Sequence, residues 1–380
     1  MNFQFDEEQQ LLADSLAKAI ERDYDFEARK SFIASDAGHS ESMWQSMAEM
    51  GIVLLPLSEQ AGGFGMGSLA LFPVLEQFGR GLLVEPLIET LICTRLLDRV
   101  GGSTQVDLLG SIASAQSTIA FAHLEPHSGP GANQLATVAT EKGGKWTLDG
   151  AKQVVMLGAA ADKILVSAKV AGASADGHSV GLFLVDGSAS GLGRSSLRTV
   201  DNHRAADLSF KSVQAEPVGE PGQAFEALDE ALDFGTLLVC AEAVGAMNYA
   251  NEATLEYLKT RKQFGAPIGA FQALQHRMVD MTVTAEQARS ITYLACDSFD
   301  GAADQTGPEA AANRRHFVSA AKVKVSDAAR LVGEDSIQLH GGMGMTNEMK
   351  VSHTFKRLTM IANSFGDVDY HLERFAATGL

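Results

Sequence analysis

Hydrophobic periodicity changes twice along this 380-residue chain, and that double change constrains the fold more than any other feature. From Asp6 to about Val100 apolar residues recur at helical spacing, as in Leu12, Leu16, Ala19 and Ile20, behind the acidic run Asp6-Glu7-Glu8 that suits a helix start. Between about Ser117 and Val218 the pattern shortens to strand-like runs such as Thr118-Ile119-Ala120-Phe121, Ile164-Leu165-Val166 and Val180-Gly181-Leu182-Phe183-Leu184-Val185. Turn signals at Asp149-Gly150 and Asp186-Gly187 punctuate them. From Gln223 helical spacing returns over long segments, roughly 224–259, 272–300 and 308–333, with a last one near 367–377. The order predicts a mainly α fold with a β insert. We expect an N-terminal helical domain over 1–116, a middle antiparallel β domain (sandwich or barrel) over 117–218, and a C-terminal four-helix bundle over 219–380. A dinucleotide-binding βαβ unit is disfavoured, because no G-x-G-x-x-G lies between a strand and a helix.

Composition then removes whole classes of function. Thirty basic against 47 acidic side chains give a net charge of −17, and no run of Lys or Arg supplies the basic footprint that nucleic acid requires. Cys93, Cys240 and Cys296 are isolated in sequence, so neither a disulfide framework nor a CxxC metal or redox motif is available, and no metal site is expected. No stretch approaches the ~18 uninterrupted apolar residues of a membrane span, and MNFQFDEEQQ is acidic where a signal peptide is basic, which sets a cytoplasmic location as the expectation. Gly62-Gly63-Phe64-Gly65-Met66-Gly67 lacks the flanks of a phosphate loop and reads as a permissive turn.

Two motifs carry chemistry. Arg261-Lys262-Gln263-Phe264-Gly265-Ala266-Pro267-Ile268, followed by Phe271-Gln272, joins two of the long helices. Ile337-Gln338-Leu339-His340-Gly341-Gly342-Met343-Gly344-Met345-Thr346-Asn347-Glu348 lies about 75 residues further on. Arginine offers a fixed-charge fork for a pyrophosphate, and paired glycines remove the Cβ atoms that keep backbone N–H groups from a polar ligand. With the element order between them, these motifs resemble the acyl-CoA dehydrogenase family over nearly the whole chain. Weaker echoes are Gly219-Glu220-Pro221-Gly222, Leu148-Asp149-Gly150-Ala151-Lys152 and the N-terminal MNFQFDEEQ.

The resemblance implies FAD-dependent α,β-dehydrogenation of acyl-CoA thioesters, an oligomer built of dimers, and electron-transfer flavoprotein as electron acceptor. It implies that Arg261, Gln263, Phe264, Gln272, Gln338, Gly341 and Gly342 approach the FAD of a neighbouring subunit. It also exposes departures. The carboxylate base that removes the α-proton sits in an E-G-T motif in most members, and here Phe365 precedes Gly366. A minority carry it in an L-D-x-E-R run, where this chain reads Leu232-Asp233-Phe234-Gly235-Thr236, with Gly235 at the Glu position and Thr236 at the Arg. The family's T-E-P reads Leu124-Glu125-Pro126, its G-S-D becomes Gly129-Pro130-Gly131-Ala132-Asn133, and its W-I-T becomes Val154-Val155-Met156.

Residues implied to reach a neighbour's FAD are kept, and those implied to hold the chain's own flavin ring and substrate are lost. The reading is a non-catalytic partner, similar to the small β-type subunits of heteromeric bacterial acyl-CoA dehydrogenases that act on dicarboxylyl, fatty or steroid side-chain thioesters. It completes the FAD site of a homologous catalytic subunit and is itself inactive alone. Three alternatives stay open: a self-sufficient dehydrogenase whose base is displaced to Asp367, with Asp369 and His371 nearby; a scaffold that binds no flavin; and a flavoprotein of other chemistry on the same fold. Asp367 is equally suited to capping the last helix, and His340 and His353 read as polar surface or interface residues.

Overall fold

A computed structural model describes residues 5–172, 179–302 and 307–379, so residues 1–4 of the N-terminal stretch lie outside the described residues. In chain order the helices before the β region are α1 (Glu7–Asp23), α2 (Phe26–Ala34), α3 (Glu41–Glu49), α4 (Ser68–Gly81), α5 (Leu87–Leu96) and α6 (Val106–Ala113). The strands are β1 (Ile119–Ala122), β2 (Val138–Lys142), β3 (Lys145–Met156), β4 (Lys163–Val170), β5 (Val180–Asp186), β6 (Leu192–Arg198) and β7 (Arg204–Val218). Then come α7 (Phe225–Thr260), a hairpin of β8 (Lys262–Gln263) and β9 (Ala266–Pro267), α8 (Gln272–Gly301), α9 (Pro308–His340), α10 (Lys350–Asn363) and α11 (Val368–Ala376). The predicted helix, strand, helix order is the observed one. Among the described residues no helix is long and apolar enough to cross a membrane.

The chain packs as two compact units. One comprises Met1–Arg29, Gly67–Leu83 and Thr236–Leu380. In it α1 starts at a capping box: the Gln9 N–H donates to Asp6 Oδ1 at 2.8 Å and the Asp6 N–H to Gln9 Oε1 at 3.1 Å. α4 and α7 touch backbone to backbone. A Cβ at Gly79 would lie 1.9 Å from Glu242 O, and one at Gly245 would lie 1.9 Å from Glu76 O, so each helix needs glycine where it meets the other. Asp300, at the end of α8, supplies the N-cap that Gly67 cannot, accepting from the Ser68 N–H at 2.7 Å and the Leu69 N–H at 2.8 Å.

The C-terminal helical domain differs in detail from the expectation of four long helices. The third long helix runs through Gly333 to His340, and α10, which the sequence reading omitted, precedes the short α11. The physical reason is that α10 buries Ser352, His353, Thr354 and Arg357 beside Val351, Leu358 and Ile361, so its inner face is not apolar. Arg357 donates from Nε and Nη2 to the two Glu242 oxygens at 2.6 Å each, and Glu242 is fully buried.

The other unit comprises Lys30–Met66 and Val84–Gly235. Its strands close on themselves in the order β4-β2-β3-β7-β5 and back to β4, with β1 beside β2 on the same edge of β4 and β6 beside β5 on the same edge of β7. This is the barrel alternative of the expectation. Most pairs are antiparallel, as predicted, but β1 and β2 run parallel to β4, a correction to a purely antiparallel reading. Leu148, Ile164, Val166, Phe183, Val185, Leu208 and Phe210 fill the interior.

Candidate functional site

The RKQFG motif folds as a tight hairpin at the end of α7. The Arg261 N–H continues the helix to Tyr257 O at 2.8 Å, and the Ile268 N–H closes the hairpin on Arg261 O at 2.8 Å. Gln263 faces Ala266 across a two-residue loop in which both Phe264 (φ 54°) and Gly265 (φ 83°) take left-handed backbone. Such loops match strand twist, but a phenylalanine there is strained. The Phe264 ring is 91% exposed, touching Phe271 edge-on at 6.1 Å between centroids.

The second motif lies at the end of α9. His340 stacks on Tyr257 at 4.5 Å between centroids, which brings the start of the glycine pair to the same end of the unit as the Arg261 hairpin. The sequence reading placed His340 and His353 at the surface or an interface; within the chain both are buried, 3% and 5% exposed, which corrects the surface alternative. His340 Nδ1 lies 2.8 Å from Ser336 O and burial lowers its pKa, while His353 Nε2 lies 3.1 Å from Asn347 O. Gly341 has φ 61°, the α9 C-cap conformation that favours glycine, and its N–H donates to Gln338 O. Gly342 has neither a positive φ nor any atom within 4 Å of where a Cβ would sit. Arg261, Gln263, Phe264, Gln272, Gln338, Gly341 and Gly342 are all exposed, and Met343 and Met345 stand beside them at 48% and 73% exposure.

The same unit holds position 365. Phe365 (φ 58°) and Gly366 (φ 107°) form a left-handed turn between α10 and α11, with the Phe365 side chain half-buried. Asp367 accepts the Tyr370 N–H at 2.9 Å as the N-cap of α11, and Asp369 lies exposed in its first turn. His371 is 1% exposed, with burial and then Lys322 lowering its pKa to about 3.

Gly235, which ends the barrel unit, and Thr236, which belongs to the helical unit, are both buried within α7. Leu124 and Val154 are 36% and 37% exposed, and the segment after β1 that carries Leu124 joins β3 through the Gln153 N–H to Leu124 O at 2.8 Å. Val154 is left-handed (φ 49°), its N–H held by Asp207 Oδ1 at 2.9 Å, and Met156 is half-buried. Sequence reasoning missed the cluster beneath them. Lys152 Nζ, fully buried, donates to Glu125 Oε1 at 2.6 Å, to His123 O at 3.0 Å and to Ser167 Oγ at 3.3 Å. Glu125 also accepts the Ala136 and Thr137 N–H groups, and His123 bridges Ser167 Oγ at 2.9 Å and Pro130 O at 3.0 Å. Burial lowers the Lys152 ammonium to about 8; burial alone would raise the Glu125 carboxyl, but Lys152 and its other donors hold it below the ordinary range. The signal was present, since Glu125 and Lys152 each stand in a quoted motif.

Family models described as the N-terminal, middle and C-terminal domains of acyl-CoA dehydrogenase match residues 6–116, 120–213 and 222–380. Among curated relatives, acyl-CoA dehydrogenase IpdE2 of Mycobacterium tuberculosis is 30% identical over 92% of this chain and 91% of its own length. A variant of the Tcur3481-Tcur3483 steroid ACAD superposes with a TM-score of 0.85 at 27% identity, covering 98% of this chain and 97% of that one. The FAD complex of PigA superposes with a TM-score of 0.87 at 25% identity, covering 99% and 98%.

Proposed function

Because the chain belongs to the acyl-CoA dehydrogenase family, we propose that it is the non-catalytic partner in a heteromeric dehydrogenase, completing the FAD site of a homologous subunit that carries the base. One observation carries the reading. Both base positions implied by the resemblance hold Phe365 and Gly235, while the residues implied to reach a neighbour's FAD stand exposed at one end of the helical unit.

The residues present fit part of a FAD. Arg261 offers an exposed guanidinium, and the unhindered backbone at Gly342 offers close approach to a polar ligand. The barrel unit fits a flavin ring poorly: Leu124, Val154 and Met156 supply no side-chain hydrogen bond where the resemblance implies Thr, Trp and the rest of that set. FAD, when bound, supplies the acceptor for the hydride that leaves the β-carbon. This chain's part is to hold charge at Arg261, to cover the ligand with Phe264, and to present Gln263 and Gln338 as hydrogen-bonding amides. In the turn at 365 Asp367 accepts the Tyr370 N–H as the α11 cap, which supports a structural role for its carboxylate over one as base. The paired name of the steroid ACAD neighbour supports the heteromeric reading and a steroid thioester as the class acted on by the complex.

The ultraviolet–visible spectrum of the protein purified alone tests this. The expected result is no stoichiometric flavin and no acyl-CoA oxidation; co-expression with a Glu-bearing homologue yields a flavin-loaded complex at half a flavin per chain. A yellow protein, reduced by an acyl-CoA without any partner, overturns it.

A further inference from the structure

The turn between α10 and α11 is held more firmly than a surface turn needs to be. Phe365 and Gly366 are consecutive residues of positive φ, 58° and 107°, and only the second is a glycine. A Cβ at Gly366 would lie 2.3 Å from Tyr370 Cδ1, so this backbone has no slack. Two buried side chains grip its carbonyl groups. Lys322 Nζ, on α9, donates to Gly366 O at 2.8 Å and to Ala362 O at 2.9 Å, with Ser326 Oγ at 3.2 Å as its third contact. His371 Nε2 lies 3.0 Å from Phe365 O, which makes it the protonated nitrogen, and Nδ1 lies 3.3 Å from Ser319 Oγ. Ser319 and Lys322 are three apart on α9, so one helix face anchors both grips. Lys322 and His371 are 0% and 1% exposed.

Strain that persists because its surroundings over-determine it is the mark of a preset position. We propose that Lys322 and His371 are positioning residues, which together hold Phe365 and Gly366 in the left-handed conformation that presets the side chain at position 365. The inference rests on the function proposed above, in which position 365 places an apolar ring where the resemblance implies a carboxylate, and it adds how that position is fixed. Removing a grip lets Phe365 relax into ordinary backbone.

Alanine and glycine at position 365 test it, because both delete the ring and only alanine keeps the left-handed penalty. In the full-length chain Phe365→Gly has a higher thermal midpoint than Phe365→Ala. That advantage disappears when His371→Leu is added and returns with His371→Gln, whose amide can donate to Phe365 O and accept from Ser319. Amide exchange at Ser364 and Tyr370 speeds at least tenfold in His371→Leu and recovers in His371→Gln, while the middle of α9 keeps its protection. Lys322→Met repeats the experiment from the other grip; if it does not fold, the two His371 variants decide alone. An equal glycine advantage in every background, or none in the natural chain, overturns the proposal. All of these measurements use the chain without flavin, so a later finding of turnover by the chain alone would remove the functional reading and leave the grip standing.

Discussion

The Arg261 hairpin and the turn at position 365 lie in one compact unit and use their polar groups in opposite ways. Around 365 the carbonyls of Ala362, Phe365 and Gly366 are satisfied by buried Lys322 and His371, and Asp367 caps α11. At the hairpin, among the described residues, Arg261 is exposed and makes no ion pair, the Gln263 side-chain amide donates only to the neighbouring Lys262 carbonyl, and Phe264 is left in solvent. Exposing a strained aromatic gains nothing for an isolated chain, whereas a fully satisfied polar cluster gains order. The contrast separates residues whose polar groups the fold itself satisfies from residues it leaves exposed, the class to which the proposed function assigns a ligand.

Substitutions in the two classes should therefore fail differently. The largest loss is expected inside the barrel unit. Lys152→Met leaves the Glu125 carboxylate buried without its cation, at a cost of about 3–5 kcal/mol. The double variant Lys152→Met with Glu125→Gln recovers part of that, and urea midpoints measure both. Phe183→Ala, a fully buried ring in the same unit, costs about 3–5 kcal/mol by leaving a cavity. Arg261→Ala belongs to the other class. In the co-expressed complex it loses flavin by about 1.5–3 kcal/mol of charge-assisted hydrogen bonding, read as the flavin-to-protein absorbance ratio. The stability of the chain alone changes by less than about 0.5 kcal/mol. Comparable unfolding by Arg261→Ala would erase the distinction.

Acid–base behaviour sharpens it. Burial lowers Lys322, and likewise Lys152 and Lys350, to about 8 from an ordinary 10.5. Above about pH 8 the unfolded chain therefore binds more protons than the folded one, and stability rises with pH. The three thiols act the other way: burial raises Cys93 and Cys296 well above 9.0 and pushes Cys240 to about 12, so above pH 9 the unfolded chain alone gives up those protons and offsets the three lysines. The net rise is confined to about pH 8–9. Thermal midpoints across that interval should climb in the natural chain and climb less in Lys322→Met.

What the sequence made legible follows the same division. α7 and α8 were readable almost to the residue, because long apolar faces end at the polar RKQFG hairpin. α10 was not, since its buried face carries Arg357, His353 and Thr354, whose partners lie far away in sequence. Turn dipeptides located the strands but carry no information on direction, so the parallel pairing of β1 and β2 with β4 was invisible. The motif residues could be named from the resemblance, yet that Phe264 would be solvent-facing and His340 buried required the fold.

The glycines give the smallest and most discriminating effect. Gly245→Ala drives a Cβ to 1.9 Å from Glu76 O at the crossing of α4 and α7, and must shift backbone. Gly342→Ala meets nothing within 4 Å and has no positive φ to protect. Folding alone therefore gives no reason for glycine at 342. Its thermal midpoint should match that of the natural chain, with a change of less than about 0.5 kcal/mol. If the exposed backbone there is kept bare for close approach of a polar ligand, the same variant lowers flavin retention in the co-expressed complex while leaving the isolated chain untouched. A complex that keeps its full flavin with alanine at this position would put Gly342 outside the ligand surface and leave that surface to Arg261, Gln263, Phe264 and Gln338.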